Sequence, residues 1–407
     1  MNRKLAQLFL ALFIGLLLPG QFAYAEGESD DSLRVSMLTC SPSSKAIYSL
    51  FGHTGLRIKS SNGEDWVFHY GVFDFDKPHF IWRFVKGETD YELGCLPYED
   101  FLLSYIYQGL EVKEQVLNLT QAESRKLFEA LKVNYLPENR EYRYNYFFDN
   151  CATRPRVKVE EAVDGIIKYD ERESIETFRS AVHRCLVGYP WSRFGIDFCL
   201  GAGADRTMEG TESYFLPANL YNGFQKALIV PREGDFRDLV IADSVLCSAR
   251  GVNAESATEE GIFWTPLVCA FALLLVVVAI SIYGVMTGRA FWGVDIALFS
   301  LAGLAGLVLA FLALFSQHPA VDSNWNMVVF HPFHLLFLPV YVYNARRWNM
   351  DYYHIANAVV LIVFFFCFSV LPQQINTAVV PIALALWVRS LSYSILAFEH
   401  RWKSKAF

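Results

Sequence analysis

Basic tracts are missing from this sequence. Its 407 residues carry 35 Lys and Arg against 42 Asp and Glu, a net charge of −7. No positive stripe is present to meet a nucleic acid. The stretch from residue 26 to 256 also lacks repeats and low-complexity runs, which excludes a repeat array there. No cysteine follows closely behind the first apolar run, so the N-terminus is not a lipoprotein leader. Two of the loops in the last third contain no Lys or Arg at all.

What is abundant is apolar surface. Hydrophobic residues make up 53% of the chain, against about 45–50% in an ordinary soluble domain. The excess is concentrated at the start and in the last third. Arg3 and Lys4 precede an apolar run from Leu8 to Leu18, and Ala23-Tyr24-Ala25 stands just before acidic Glu26. That is the pattern of a secretory signal peptide with an A-x-A cleavage site, expected over residues 1–25. The domain that follows is therefore exported, over residues 26–256.

Five apolar stretches follow, at 263–286, 292–315, 327–343, 355–371 and 377–398. A bilayer span needs about 20 residues, and the first two and the last meet that length. Arg289, then Arg346 and Arg347, then Arg401, Lys403 and Lys405 lie after the first, third and fifth stretches. The alternate loops, 317–326 and 372–376, have no such charge. The positive-inside rule puts the basic loops in the cytoplasm and the preceding domain in the periplasm. The expectation is a multi-pass protein of a bacterial inner membrane. Its transmembrane domain covers 257–398 and its basic cytoplasmic tail 399–407. Arg389 inside the fifth stretch, and His318, Asn324 and the neighbouring polar residues before the third, are unusual for a simple anchor. Intramembrane ionisable groups often mark function, so these three enter as candidate substrate-binding residues. Structural pairing is the plain alternative for Arg389.

Six cysteines fall in the exported part: Cys40, Cys95, Cys151, Cys185, Cys199 and Cys247. An oxidising compartment permits disulfides among them. A free Cys151 would leave an odd number, so at least one more would be unpaired.

Within this domain, alternation predicts strands over 33–39, 53–59, 65–70 and 111–119, with Ser61-Asn62-Gly63 as a turn. A short helix is expected over 43–50. Thr120-x-x-Glu123 is a capping box opening a helix to about Leu136. Asp149-Asn150 then offers an N-cap for a helix beginning at Cys151. A cysteine in that first turn would have its thiol pKa lowered by the helix dipole. Its backbone N–H would be free for an oxyanion. A buried or disulfide-bonded cysteine is the alternative. His53, at the start of a strand in Phe-Gly-His-Thr-Gly, supplies an imidazole able to take a thiol proton and return it. Its own alternative is a structural histidine. His69 or Tyr70 could orient it, but alternation allows only one of them to face the same side. His69 is preferred.

A Gly-His strand followed about a hundred residues later by Asn-Cys at a helix start resembles the circularly permuted papain-like group. That group includes the NlpC-type hydrolases and lecithin:retinol acyltransferases. Within it, the chain resembles the lipoprotein N-acyltransferase family Lnb. The likeness rests on residues 38–40, 51–58, 69–75 and 144–153, on Pro190-Trp191 with Gly195-Ile196-Asp197 and Leu200-Gly201, and on Phe215-Leu216-Pro217. His69 departs from the Asn that the family more often has before Tyr-Gly, which leaves the third role open between His69 and Tyr70. The resemblance implies an α+β, permuted papain-like (NlpC-type) periplasmic domain followed by an all-α transmembrane bundle of about five helices. It implies a thiol acyltransferase working by a Cys-His ping-pong route. A membrane phospholipid is the acyl donor, and the α-amine of a diacylglyceryl-cysteine lipoprotein the acceptor. Cys151 is the nucleophile and His53 the base. Asn150 is a candidate for oxyanion help, and Arg57 and Arg154 for phosphate contact. The acyl ester carries the driving force, so no cofactor or metal is expected. The competing readings are an NlpC-type peptidase of cell-wall peptides, a phospholipase using water as acceptor, and a non-enzymatic membrane sensor.

Overall fold

The computed structural model describes residues 32–170, 175–250 and 263–405. The expected signal peptide, and the junction expected at 256/257, lie outside these residues.

The chain lays down β1 (Leu33–Cys40), β2 (His53–Ser60), β3 (Asp65–Val72), α1 (Phe80–Val85), β4 (Asp90–Pro97) and α2 (Tyr98–Tyr107). Next come β5 (Val112–Leu117), α3 (Gln121–Tyr135), β6 (Glu141–Arg143), α4 (Thr153–Ala162) and β7 (Gly165–Lys168). Then follow α5 (Phe178–Cys185), α6 (Pro190–Cys199), α7 (Pro217–Lys226), β8 (Leu228–Pro231), β9 (Arg237–Asp238) and β10 (Val240–Cys247). Seven strands form one sheet in the order β10-β5-β1-β2-β3-β4-β6, and β7, β8 and β9 form a small second one. Every pairing is antiparallel. The expected Ser61-Asn62-Gly63 turn joins β2 to β3, with Gly63 at φ +101°.

The alternation along these strands sorts their side chains. Leu56, Ile58, Phe68 and Tyr70 enter a core with Leu127 and Leu131 of α3, Val159 of α4 and Phe224 of α7. Val67 faces the other way, against Phe101 of α2. His53 and His69 fall on that second face. The capping box closes as the sequence predicts. The Glu123 N–H donates to Thr120 Oγ1 at 3.2 Å, and the Thr120 N–H to Glu123 Oε2 at 2.8 Å. The helix expected over 43–50 is instead a short 3-10 turn at Ile47–Phe51. Ser49 Oγ donates to the Ser43 and Ala46 carbonyls and tightens the backbone there.

Among the described residues, five helices are long and apolar enough to cross a membrane. They are α8 (Pro266–Thr287), α9 (Trp292–Phe315), α10 (Phe333–Arg346), α11 (Tyr352–Cys367) and α12 (Val379–Lys405). A 3-10 turn at Trp325–Val328 lengthens the third span to Trp325–Arg346. The fifth helix runs on to Lys405, into the segment expected as a tail. The two loops without basic charge are the ones that meet the periplasmic domain. Ser316 Oγ donates to the Val85 carbonyl at 2.9 Å, and the Gln317 N–H to Lys86 O at 2.8 Å. The Gly201 N–H donates to Ala320 O at 2.7 Å, and Gln373 Nε2 to Leu200 O at 2.9 Å. Inside the bundle, Asp295 of α9 takes a bidentate pair from Arg389 of α12, at 2.5 and 2.9 Å. Tyr341 of α10 also donates to Asp295.

Candidate active site

Two glycines let β2 and its approach pack as they do. Gly52, at φ +79°, would carry a Cβ 2.8 Å from the Cys40 carbonyl, and a Cβ on Gly55 would lie 2.8 Å from Val67 Cγ1. His53 follows Gly52 and opens the strand. Its Nε2 is 3.2 Å from Nδ1 of His69, and the two rings meet edge to face with centroids 5.3 Å apart. That bond leaves Nδ1 of His53 as the nitrogen free for a thiol. Opposite His69 in the β3–β4 register stands Gly94. A Cβ there would sit 2.8 Å from His69 Nε2, so the missing side chain is the space the imidazole fills.

Tyr70 points to the other face. It is fully buried, and its hydroxyl donates to Asn134 Oδ1 at 2.6 Å. Of the two, His69 is the residue whose ring meets His53, and Tyr70 is a core residue. At Gly71 the strand bulges, with a register shift between Tyr70 and Val72 and φ +95°. A Cβ on Gly71 would lie 3.6 Å from Cys151 Cβ and 4.0 Å from His53 Cε1. The cysteine and the histidine thus converge over one bare glycine.

Cys151 is held by the turn before it. Asn145 and Asp149 exchange backbone hydrogen bonds at 3.0 and 2.9 Å. Asn150 Oδ1 accepts from the N–H groups of Ala152 at 2.8 Å and Thr153 at 3.0 Å, capping α4. Its Nδ2 donates to the carbonyls of Tyr146 and Phe215 at 2.9 and 3.0 Å. Asn150 is fully committed and buried, so it has no N–H for an oxyanion. Thr54 clamps the cysteine from the strand, its hydroxyl donating to the Cys151 carbonyl. The backbone N–H groups of Thr54 and Cys151 favour the ionised form of its thiol.

All eight cysteines are free thiols. The thiol of Cys151 departs from the lowered pKa that the sequence suggested. Burial pushes it up to about 12, although those two N–H groups pull the other way. The helix begins at Thr153, two residues later than expected, and the N–H groups of Thr153 and Arg154 in its first turn are spent on Asn150. Burial and the neighbouring His69 push His53 down to about 3, and burial takes His69 to about 4. At neutral pH the pair rests as thiol and neutral imidazole.

The remaining sequence candidates lie elsewhere or are occupied. Arg57 is held by Asp65 and Glu114 and stacks 3.3 Å over the Tyr98 ring. Arg154 forms a bidentate pair with Asp149 and covers Tyr142. His318 Nε2 bonds the Phe84 carbonyl at 2.6 Å. Asn324 Nδ2 donates to Phe198 O and Cys199 O. Arg389 is spent on Asp295. These groups fasten the fold and the two domains. Sequence reasoning missed the positioning roles of Thr54, Gly71 and Gly94. Thr54 and Gly71 stand inside motifs already singled out, but nothing marked Gly94.

Two family models match the chain: Lnb N-terminal periplasmic domain over residues 25–184 and Lnb transmembrane domain over residues 257–401. Neither a curated protein nor a solved structure matches it.

Proposed function

The chain belongs to the Lnb family, and from that premise we propose that it is a thiol-dependent lipoprotein N-acyltransferase. The observation that carries this reading is the convergence of Cys151 and His53 over Gly71, with His69 bonded behind His53. It is a multi-pass membrane protein with a periplasmic domain, which suits two substrates anchored in one leaflet. Lifting acyl chains out of the bilayer would cost about 0.8 kcal/mol per CH₂.

In the first half-reaction, the sulfur of Cys151 attacks the acyl ester carbonyl of a phospholipid as its proton passes to Nδ1 of His53. Because the resting pair is neutral, proton transfer and attack proceed together. The N–H groups of Thr54 and Cys151 receive the developing oxyanion. The intermediate collapses, His53 returns the proton to the departing lysophospholipid oxygen, and a thioester remains. In the second half, the α-amine of a diacylglyceryl-cysteine attacks the thioester. His53 takes the amine proton and hands it to the leaving sulfur. The products are an amide-linked third acyl chain and the original thiol. Nε2–H of His53 donates to His69 Nδ1 throughout, which keeps the accepting nitrogen turned to the thiol.

Mass spectrometry of lipoprotein N-termini from cells with and without the gene tests the substrate. One acyl chain fewer without it is expected, and an unchanged acyl count removes the transferase reading. Intact-protein mass after incubation with phospholipid tests the route. An acyl adduct on the wild type, absent from Cys151→Ser, is expected. A peptidase would give no such adduct, and a phospholipase would release the acyl group to water without the amine acceptor.

A further inference from the structure

A row of aromatic rings leads away from the reactive thiol. Tyr144, whose ring edge lies 4.0 Å from the same Gly71 position that faces Cys151, stacks on Tyr91 with centroids 4.2 Å apart. Tyr91 meets Phe73 at 5.0 Å, Phe73 stacks on Phe80 at 5.8 Å, and Phe80 on Phe84 at 6.3 Å. The last two belong to α1, a six-residue helix, Phe-Ile-Trp-Arg-Phe-Val, with one charge. That charge is turned back, since Arg83 is paired with Asp90 at 2.6 Å. The apolar members stand outward: Ile81 is 77% exposed, Trp82 56% and Phe84 46%.

The position of α1 says what covers it. Trp82 packs on Phe311 of membrane helix α9, with ring centroids 5.0 Å apart. The carbonyls of Phe84, Val85 and Lys86 are hydrogen-bonded to the loop that leaves the end of α9. On α9 itself, Leu314 and Phe315 are exposed, as lipid-facing residues of a span are. The outward face of α1 therefore continues the lipid-facing surface of α9 at its periplasmic end. Exposed apolar area of this kind marks an interaction site, and an aromatic-rich amphipathic segment at that level lies in the membrane interface.

We propose that α1 is immersed in the periplasmic leaflet and that the aromatic row from Phe84 to Tyr144 carries a lipid acyl chain between the bilayer and Cys151. The proposal rests on the acyl-transfer reading above and names the route by which its donor arrives. Ile81 and Trp82 set access, and no bond of the reaction involves them.

The test uses the full chain in vesicles of palmitoyl-oleoyl phosphatidylethanolamine and phosphatidylglycerol. Two donors are compared, the vesicle lipid (read as lysophospholipid release) and water-soluble p-nitrophenyl acetate (read as p-nitrophenol). Ile81→Asp and Trp82→Asp each lower release from vesicles by about tenfold or more, the loss expected when one large apolar contact is replaced by a charge. Turnover of the soluble ester is unchanged, and Trp82→Phe restores the vesicle rate. An unchanged vesicle rate in both variants, or parallel loss with both donors, overturns the route. A second readout does not depend on catalysis. In Cys151→Ser, a phosphatidylethanolamine with a diazirine on its acyl chain should crosslink within 73–85, and Ile81→Asp should remove the adduct. No crosslink there overturns the route. Crosslinking or lysophospholipid release without N-acylation would leave the route standing and remove the transferase reading instead.

Discussion

Gly94→Ala should damage catalysis without touching a reacting group. The new Cβ would be placed 2.8 Å from His69 Nε2, 3.3 Å from Cε1 and 2.7 Å from Val72 Cγ2. Ordinary carbon contacts begin near 3.4 Å, so the imidazole must retreat by about 0.6 Å from a methyl group that cannot yield. That pushes the ring from β4 toward His53 of β2, whose Nε2 is 3.2 Å from Nδ1 of His69, and a displacement of that size spoils the alignment of the bond. His53 then loses the partner that fixes its tautomer and the orientation of its ring. A hydrogen bond of this kind is worth about 0.5–1.5 kcal/mol, and misplacement of a catalytic group on the ångström scale costs up to ~10²-fold. We expect kcat for N-acylation of a diacylglyceryl-cysteine peptide in proteoliposomes to fall about 10- to 100-fold with KM unchanged. Overpacking should also cost about 1–3 kcal/mol of stability, seen as a lower unfolding midpoint. The decisive comparison is a double-mutant cycle with His69→Ala. If Gly94 acts through His69, the double variant has the kcat of His69→Ala alone. Full activity in Gly94→Ala, or losses that multiply in the double variant, would refute the reasoning.

The pH dependence follows from the buried pair. The general base must be unprotonated, and with His53 pushed down to about 3 and Cys151 up to about 12 both stay neutral from pH 5 to 9. The kcat/KM profile for the phospholipid donor should be flat there, with the acid limb only as pH falls toward the His53 value, and an inflection at the ordinary histidine pKa of about 6.5 would contradict it. Thr54→Val removes the hydroxyl that donates to the Cys151 carbonyl. It should lower kcat about tenfold at a cost of about 1–3 kcal/mol, measured by turnover and thermal unfolding in detergent, and wild-type turnover would rule out the clamp. Arg389→Met leaves Asp295 buried without its cation and should cost about 3–5 kcal/mol. The pair Arg389→Met with Asp295→Asn should recover most of it, and no recovery would show that the ion pair is not the reason.

Much of the central sheet was legible because period-2 alternation is a local signal. Leu56, Ile58, Phe68 and Tyr70 enter one core, and the turn at Gly63 fixes their register. The same alternation required His69 and Tyr70 to face opposite ways, and only packing could decide which way each went. Strand β4 was missed because Gly94 and Pro97 interrupt its pattern in Asp-Tyr-Glu-Leu-Gly-Cys-Leu-Pro, and with it went the one residue that makes room for His69. The thiol of Cys151 was misjudged for a different reason. The dipole argument depends on where the helix starts, which is Thr153, and on burial, which comes from Thr54 and other residues far away in the chain. Arg57, Arg154, Asn324 and Arg389 look like binding groups in a list of residues. Arg57, Asn324 and Arg389 have partners at long range, Glu114, Phe198 and Asp295, which local sequence does not show, whereas Arg154 pairs with Asp149 only five residues away.

The pairing of Asp295 with Arg389 also imposes an order on how the protein is made. Asp295 is synthesised 94 residues before its cation, so for most of insertion its helix holds an acid that hydrocarbon does not tolerate. Only when the last span enters can that helix settle against its neighbours. Chains cut short before residue 389 should stay recognisably incomplete to the cell's membrane proteases, whatever the state of their periplasmic domain.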